Sequence, residues 1–344
     1  MAKDLVTILM TEGEAARWST FRPGRRGDVQ ETARGQAPLS APAETDDGEG
    51  VASASEVLRK LKSRIDVVVP ESDVILRVLR LPTDDPSEIG GMVELQVETL
   101  SPFPADQVVT SHETVSQGES TTTVIVAIAK LSALNELRSV LGDPEFGRVD
   151  AEPLGLWHGF VHSGQLAESG RELLATASSE GVQFIVHEGG LPLAMTYVAG
   201  PFDLASEDDC REIAWEASRL LMSLEVDAGA APKLAASVWA PAEFSADIAA
   251  RIGEVCGMEC YGFGQEMLPD VFGGVARRGL QPGRRIDLTP PAWRASEASA
   301  RFKARVWSWA AAAVIVWKMI HEVRDGALGS DTSGSLVVCS FAAP

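Results

Sequence analysis

Basic residues are in short supply in this chain. It has 30 lysines and arginines against 49 aspartates and glutamates, a formal charge of −19. Phosphodiester backbones are bound by clustered lysine and arginine, so this balance excludes nucleic acid as a partner. Cysteine is also scarce, with four residues at 210, 256, 260 and 339. Four thiols in 344 residues make no disulfide framework. Cys256 and Cys260 can share a helix face, but a zinc site needs a second pair nearby and the sequence has none. Scattered thiols in a core are the plain alternative. The N-terminus, MAKDLVTILMTEGE, lacks the long apolar stretch and small-residue cleavage site of a secretory signal, which predicts a cytoplasmic folded part.

Motifs for chemistry are equally thin. No Gly-x-Ser-x-Gly and no Ser/His/Asp arrangement is visible. Gly262-Phe263-Gly264 lacks the third glycine and the long preceding strand of a dinucleotide fingerprint. His158 and His162 lie four apart near Glu152, without a third ligand at metal spacing. Asp84-Asp85 and the pair Glu94 and Glu98 read as an acidic first turn and a solvated helix face before they read as paired catalytic carboxylates.

What is present is an α/β pattern. At 344 residues the chain has room for two lobes, and 45% apolar content is that of a globular protein. Leu5–Met10 and Ala15–Arg22 predict a hairpin. Residues 23–55 are rich in Gly, Pro, Ala, Asp and Glu, which predicts a flexible excursion. A short helix then leads into a strand from Ile65. Strands are predicted near 67–69 and 74–81, a helix over 88–100, a hairpin over 108–129 and a helix over 131–141. From 146 the plan repeats, with strands at 173–178, 181–187, 193–199 and 233–239 and helices over 207–226 and 243–256. The expected division is a first lobe over 1–145, a second over 146–280, a basic linker over 281–305, an apolar helix over 306–320 and a tail over 321–344.

Two features stand out. In Leu100-Ser101-Pro102-Phe103-Pro104 the prolines stop the helix and force an extended exit. Phe103 then either caps the first lobe's core or stays exposed to dock a partner, the prolines limiting the entropy lost on binding. The other is 306–320, VWSWAAAAVIVWKMI, fifteen residues with almost no polar side chain. A span usually takes ~20. Trp307, Trp309 and Trp317 suit an interface belt and Lys318 can snorkel, while eight basic residues between Arg277 and Arg305 give the bias of a cytoplasmic N-terminus. A single-pass inner-membrane helix and a buried Ala-rich helix are the two readings.

Several segments carry a family resemblance: VVVPESDVILRVLRLP (67–82), EIGGMVELQVETLSPFP (88–104), TTTVIVAIAKLSALNEL (121–137) and REIAWEASRLLMSLE (211–225). They resemble the cytoplasmic domains of GspL of bacterial type II secretion and PilM of type IV pilus assembly. RRIDLTPPAWR (284–294) is similar to the motif before the membrane span of the PilN-type partner. The resemblance implies a two-lobed, duplicated actin-like (ribonuclease-H-like) ATPase fold. It also implies a scaffold role in an inner-membrane platform, with a secretion or pilus ATPase, neighbouring platform subunits and further copies of the chain as partners.

Nucleotide binding in such folds depends on tight hairpins whose amides approach phosphate, and on an Asp for the metal. Here the first hairpin carries Glu12-Gly13-Glu14 and the second carries Ser178-Ser179-Glu180-Gly181, both without Asp-x-Gly. The expectation is therefore no cofactor, no metal and no catalytic residues. Pro102, Phe103, Pro104, Glu94 and Glu98 are the candidate partner-binding residues. The alternative is an ATP-binding, PilM-type protein; a small-molecule kinase on the same fold would need the same loops and a catalytic Asp.

Overall fold

The computed structural model describes residues 5–24, 28–40, 52–61, 63–142, 144, 146–225, 234–281 and 283–328. The fold begins with the expected hairpin: β1 (Val6–Glu12) and β2 (Ala15–Pro23) pair antiparallel from Val6 with Phe21 to Glu12 with Ala15. Gly13 makes the turn at φ +57°, a left-handed conformation that other residues adopt with strain.

A third strand, β3 (Val29–Pro38), pairs antiparallel with β2. It corrects the expectation of a flexible loop over 23–55, of which 25–27 and 41–51 lie outside the described residues. β3 is an edge strand with mostly exposed side chains, so it needs no apolar alternation. It approaches β2 closely at Gly35, where a Cβ would fall 2.5 Å from the Trp18 ring.

Helix α1 (Ala54–Lys60) leads into β4 (Arg64–Val69), which pairs parallel to β1. An insertion follows, comprising β5 (Val74–Leu81), α2 (Pro86–Leu100), β6 (Val108–Gln117), β7 (Thr122–Lys130) and α3 (Leu131–Val140). Its three strands form an antiparallel sheet in the order β5-β7-β6. Ile89, Val93 and Val97 on one face of α2 pack on Val124, Val126 and Ile128, each worth about 1.5–3 kcal/mol of burial. The neighbouring apolar runs at 67–69 and 74–81 therefore belong to different sheets, joined by a turn of 3-10 helix at Glu71–Asp73.

The chain then returns to the first sheet. β8 (Arg148–Ala151) pairs parallel to β4, giving the order β3-β2-β1-β4-β8. This strand lies just past the expected lobe boundary at 145. After α4 (Glu152–Ser163) come β9 (Arg171–Ala177), β10 (Gly181–Glu188), β11 (Leu191–Ala199), α5 (Glu207–Glu225), β12 (Leu234–Ala240), α6 (Ala242–Cys256) and β13 (Glu259–Gly264). The second sheet runs β11-β10-β9-β12-β13. Both five-stranded sheets thus hold three consecutive antiparallel strands followed by two parallel ones, the same plan built twice.

Helix α7 (Val271–Leu280) follows the second sheet but packs on the first, its Phe272, Val275 and Ala276 meeting Ile8, Met10, Phe21 and Val68. It also touches α4 so closely that a Cβ on Gly274 would fall 1.9 Å from the Gly155 carbonyl oxygen.

Residues 291–344 form a separate unit. Its helix α8 runs over Pro291–Leu328, 38 residues, so the expected linker is helical from Pro291 onward. Pro291 suits a first helical turn, and the alanines, glutamate and arginines that follow favour helix. Trp307, Trp309, Trp317 and Lys318 are exposed. Among the described residues no helix is long and apolar enough to cross a membrane, which corrects the expected span at 306–320. The tryptophan- and alanine-rich stretch is short, and Arg305 and Lys318 bound it within one turn at either end. Of the expected tail, residues 329–344 lie outside the described residues.

Candidate functional site

The β1–β2 turn and the β9–β10 turn open onto one cleft of about 790 Å³. Its rim is acidic. Glu12 and Glu180 come from the two turns, Glu71 from the 3-10 turn after β4, and Glu152 from the first turn of α4. Arg17 on β2 forms an ion pair with Glu12. Burial, then the charges of Glu152 and Glu180, push the Glu71 carboxyl up to about 8. Burial also raises Glu152, to about 7, with Glu12 and Glu180 adding to the rise. Near neutral pH the cleft thus holds Glu71 protonated, because a second and third negative charge in a confined space cannot be solvated.

The backbone of the second turn is already engaged. Ser178 Oγ accepts from Glu180 N at 3.2 Å and donates to the Gly181 carbonyl at 3.2 Å. Tyr197 Oη and Gly200 N both donate to the Glu180 carbonyl, at 2.9 and 2.7 Å. A phosphate cradle needs amides that point outward and free, and here carboxylates occupy the same rim.

A second construction joins the first sheet to the insertion. Arg278 on α7 is fully buried. It donates to both oxygens of Asp150 on β8, at 2.7 and 2.5 Å, and to Glu113 on β6. Beside it the segment 284–290 lies extended across β8 and β6. Ile286 N donates to Glu113 Oε2 at 3.1 Å and Asp287 N to Ser111 Oγ at 3.0 Å. Leu288 N donates to the Val149 carbonyl at 2.8 Å, and Asp287 Oδ1 accepts from Val149 N at 3.3 Å. Ile286 and Leu288 are fully buried. The Ile-Asp-Leu-Thr run is therefore a strap seated on its own chain, its amides bonded to a backbone carbonyl of β8 and to side chains of β6.

These elements match known folds. A chain of a PilM–PilN type IV pilus biogenesis complex superposes with a TM-score of 0.56 at 17% identity, over 82% of this chain and all of that one. A Bacteroides thetaiotaomicron protein with an actin-like ATPase fold gives 0.51 at 9% identity, over 80% of this chain and 96% of that one. The fold is actin-like. The cytoplasmic domain of EpsL, an inner-membrane component of the Vibrio cholerae type II secretion system, is also similar, with a TM-score of 0.44 at 16% identity over 84% and 98%. No protein-family profile matches the sequence, and no curated protein matches it.

Within the actin-like frame, the acidic cleft lies where the hairpins of the two duplicated sheets face each other, the position the sequence assigned to phosphate loops. The strap, Arg278, Glu113 and Asp150 went unpredicted. Their sequence signal is faint: an arginine inside the apolar helix VFGGVARRGL and single acids within strands, all of which need partners once buried.

The predicted partner-binding residues share one corner. Ser101 N donates to the Val97 carbonyl at 2.8 Å and closes α2, and Ser101 Oγ binds the Phe103 backbone on both sides. Phe103 is half-buried with Lys130 Nζ 4.2 Å from its ring centroid, while Pro102 and Pro104 are exposed. Glu94 and Glu98 are exposed on α2, and Leu95 between them is 75% exposed, an apolar residue that sequence reasoning passed over. His158 is half-buried, and burial together with Arg278 and Arg285 lowers it to about 3. Among the described residues no group of three or more His, Cys, Asp and Glu side chains is placed to hold a metal ion. Cys256 and Cys260 are free thiols, Cys260 raised by burial to about 11; Cys339 lies outside the described residues.

Proposed function

We propose that this chain is a non-catalytic scaffold of a bacterial type II secretion or type IV pilus inner-membrane platform, recruiting the cytoplasmic ATPase and neighbouring platform subunits. One observation carries the reading: the strap over 284–290, part of the run that resembles the PilN-type partner's motif, is seated across β8 and β6 of an actin-like fold. Motif and seat occupy one chain, as suits a subunit that passes attachment from its folded lobes to the helix beyond Pro291. The acidic rim of the cleft supports the non-catalytic part, since Glu12 and Glu180, one on each turn, oppose a triphosphate. The corner formed by Phe103 and the exposed α2 residues Glu94, Leu95 and Glu98 is the surface assigned to the ATPase.

Calorimetric titration with magnesium and ATP tests the first part, and no binding heat is expected. Micromolar affinity would establish the alternative, a nucleotide-binding PilM-type protein. Titration with purified type II secretion and pilus ATPases tests the second part, with binding to one of them expected. Absence of binding to both overturns the scaffold assignment.

A further inference from the structure

A small pocket of about 250 Å³ lies beside the strap, between the first turn of α2 and strand β6. Pro86 and Ile89 form one wall, His112 and Thr114 of β6 a second, and Arg284 and Arg285 a third. Gly283, at φ +105°, turns the chain so that both arginines face this space.

The chemistry of the lining is one-sided. In a protein of charge −19, the described residues lining this pocket supply two guanidinium groups, an imidazole and a hydroxyl and no carboxylate, with Glu113 acting on Arg285 from outside the lining. His112 is the telling member. It is 9% exposed and lines the cavity. An imidazole on the wall of a cavity offers an N–H donor to an acceptor seated there. Arg285 is partly committed, its Nη2 donating to Gln281 Oε1 at 2.7 Å, which fixes the guanidinium at the pocket's edge. Arg284 is exposed at the mouth. Guanidinium forks, an imidazole N–H and a hydroxyl are the donor set that tetrahedral oxyanions select.

We propose that this pocket binds a phosphate group, held by Arg284, Arg285, His112 and Thr114. The site is separate from the acidic cleft and does not depend on the platform reading. Burial, and next the charge of Arg284, hold His112 below the usual histidine range, with Glu94 acting weakly the other way. An anion in the pocket reverses that balance, so the imidazole reports its arrival.

The test follows the ring signals of the five histidines by NMR in the full chain, His112 being assigned with H112Q. Inorganic phosphate is added against chloride at matched ionic strength. The expected result is a saturable shift of His112 with half-saturation on the order of 1 mM. Its titration midpoint rises by about half a pH unit or more. In Arg284→Gln/Arg285→Gln the shift is lost while Tm is retained, and Arg284→Lys keeps part of it. A second arm, sedimentation with phosphatidylglycerol and phosphatidylcholine vesicles, separates the sources. Retention on the first alone, lost in the double variant, assigns the phosphate to a lipid headgroup. No retention with a positive phosphate titration assigns it to free phosphate or a small ester. An unmoved His112, or an equal response to chloride, overturns the site whatever the vesicles show. A double variant that fails to fold leaves the decision to the phosphate and chloride titrations of the unaltered chain.

Discussion

Arg278 and Asp150 form a buried two-point ion pair, Nη1 of the arginine lying 2.7 and 2.5 Å from the two carboxylate oxygens, both side chains wholly shielded from solvent. The pair joins α7 to β8, and Glu113 extends it to β6 of the inserted sheet. Three elements remote in sequence are thus tied through one guanidinium.

Removing one member strands the others. Arg278→Ala leaves two acids buried without their cation, and a loss of about 3–5 kcal/mol is expected. Urea unfolding of the variant measures it. A triple change that removes Arg278, Asp150 and Glu113 together in favour of apolar residues should cost less than the single one, because the desolvation penalty leaves with the charges.

The cleft carboxyls set a pH dependence. Glu71 and Glu152 are held near 8 and 7, above the ordinary range near 4.3 for a free glutamate. A folded-state value above the unfolded one means the favourable contribution is complete below the unfolded value and is lost as pH rises through about 7 and 8. Glu71→Gln and Glu152→Gln should therefore raise Tm at about pH 9, by roughly 2–4 °C for each kcal/mol relieved, and leave it unchanged at about pH 5. Thermal scans across pH decide this; an equal shift at both ends would refute it.

The strap depends on Asp287. Its Oδ1 accepts from Val149 N at 3.3 Å, Thr289 N at 3.0 Å and Thr289 Oγ1 at 2.5 Å. Asp287→Ala leaves buried donors unsatisfied and should cost about 1–3 kcal/mol. Trypsin provides a direct reading, since cleavage after Arg284 and Arg285 should accelerate ahead of cleavage elsewhere in the first unit.

Contact between α4 and α7 tolerates no side chain at Gly274. Gly274→Ala places a methyl 1.9 Å from the Gly155 oxygen, and because the obstacle is backbone, a cost at or above the usual overpacking range of about 1–3 kcal/mol is expected. Denaturant melts check it, with Gly90→Ala, where a Cβ would meet nothing within 4 Å, as the control.

Phe103 separates stability from recognition. Its stacking on Lys130 is worth about 0.5–1 kcal/mol, so Phe103→Ala should lower Tm slightly. As a docking residue its loss should weaken ATPase binding by about tenfold or more. Unchanged affinity in titration calorimetry would return Phe103 to a purely structural role.

The sequence by itself determined the local elements. Period-two and period-3.6 patterns placed the central strands and the helices, and glycines and prolines placed the turns, because burial on one face leaves its mark along the chain. β3 escaped, since an edge strand with solvent on its faces carries no such mark, and so did β8, only four residues long. What only the tertiary structure decided was assembly. Sheet membership joins strands tens of positions apart, and the return of α7 to the first sheet, the seat of the strap and the pairing of Arg278 with Asp150 bring together residues separated by a hundred or more positions. Such contacts are selected by the mutual satisfaction of buried charges and amides, a condition that no single segment encodes.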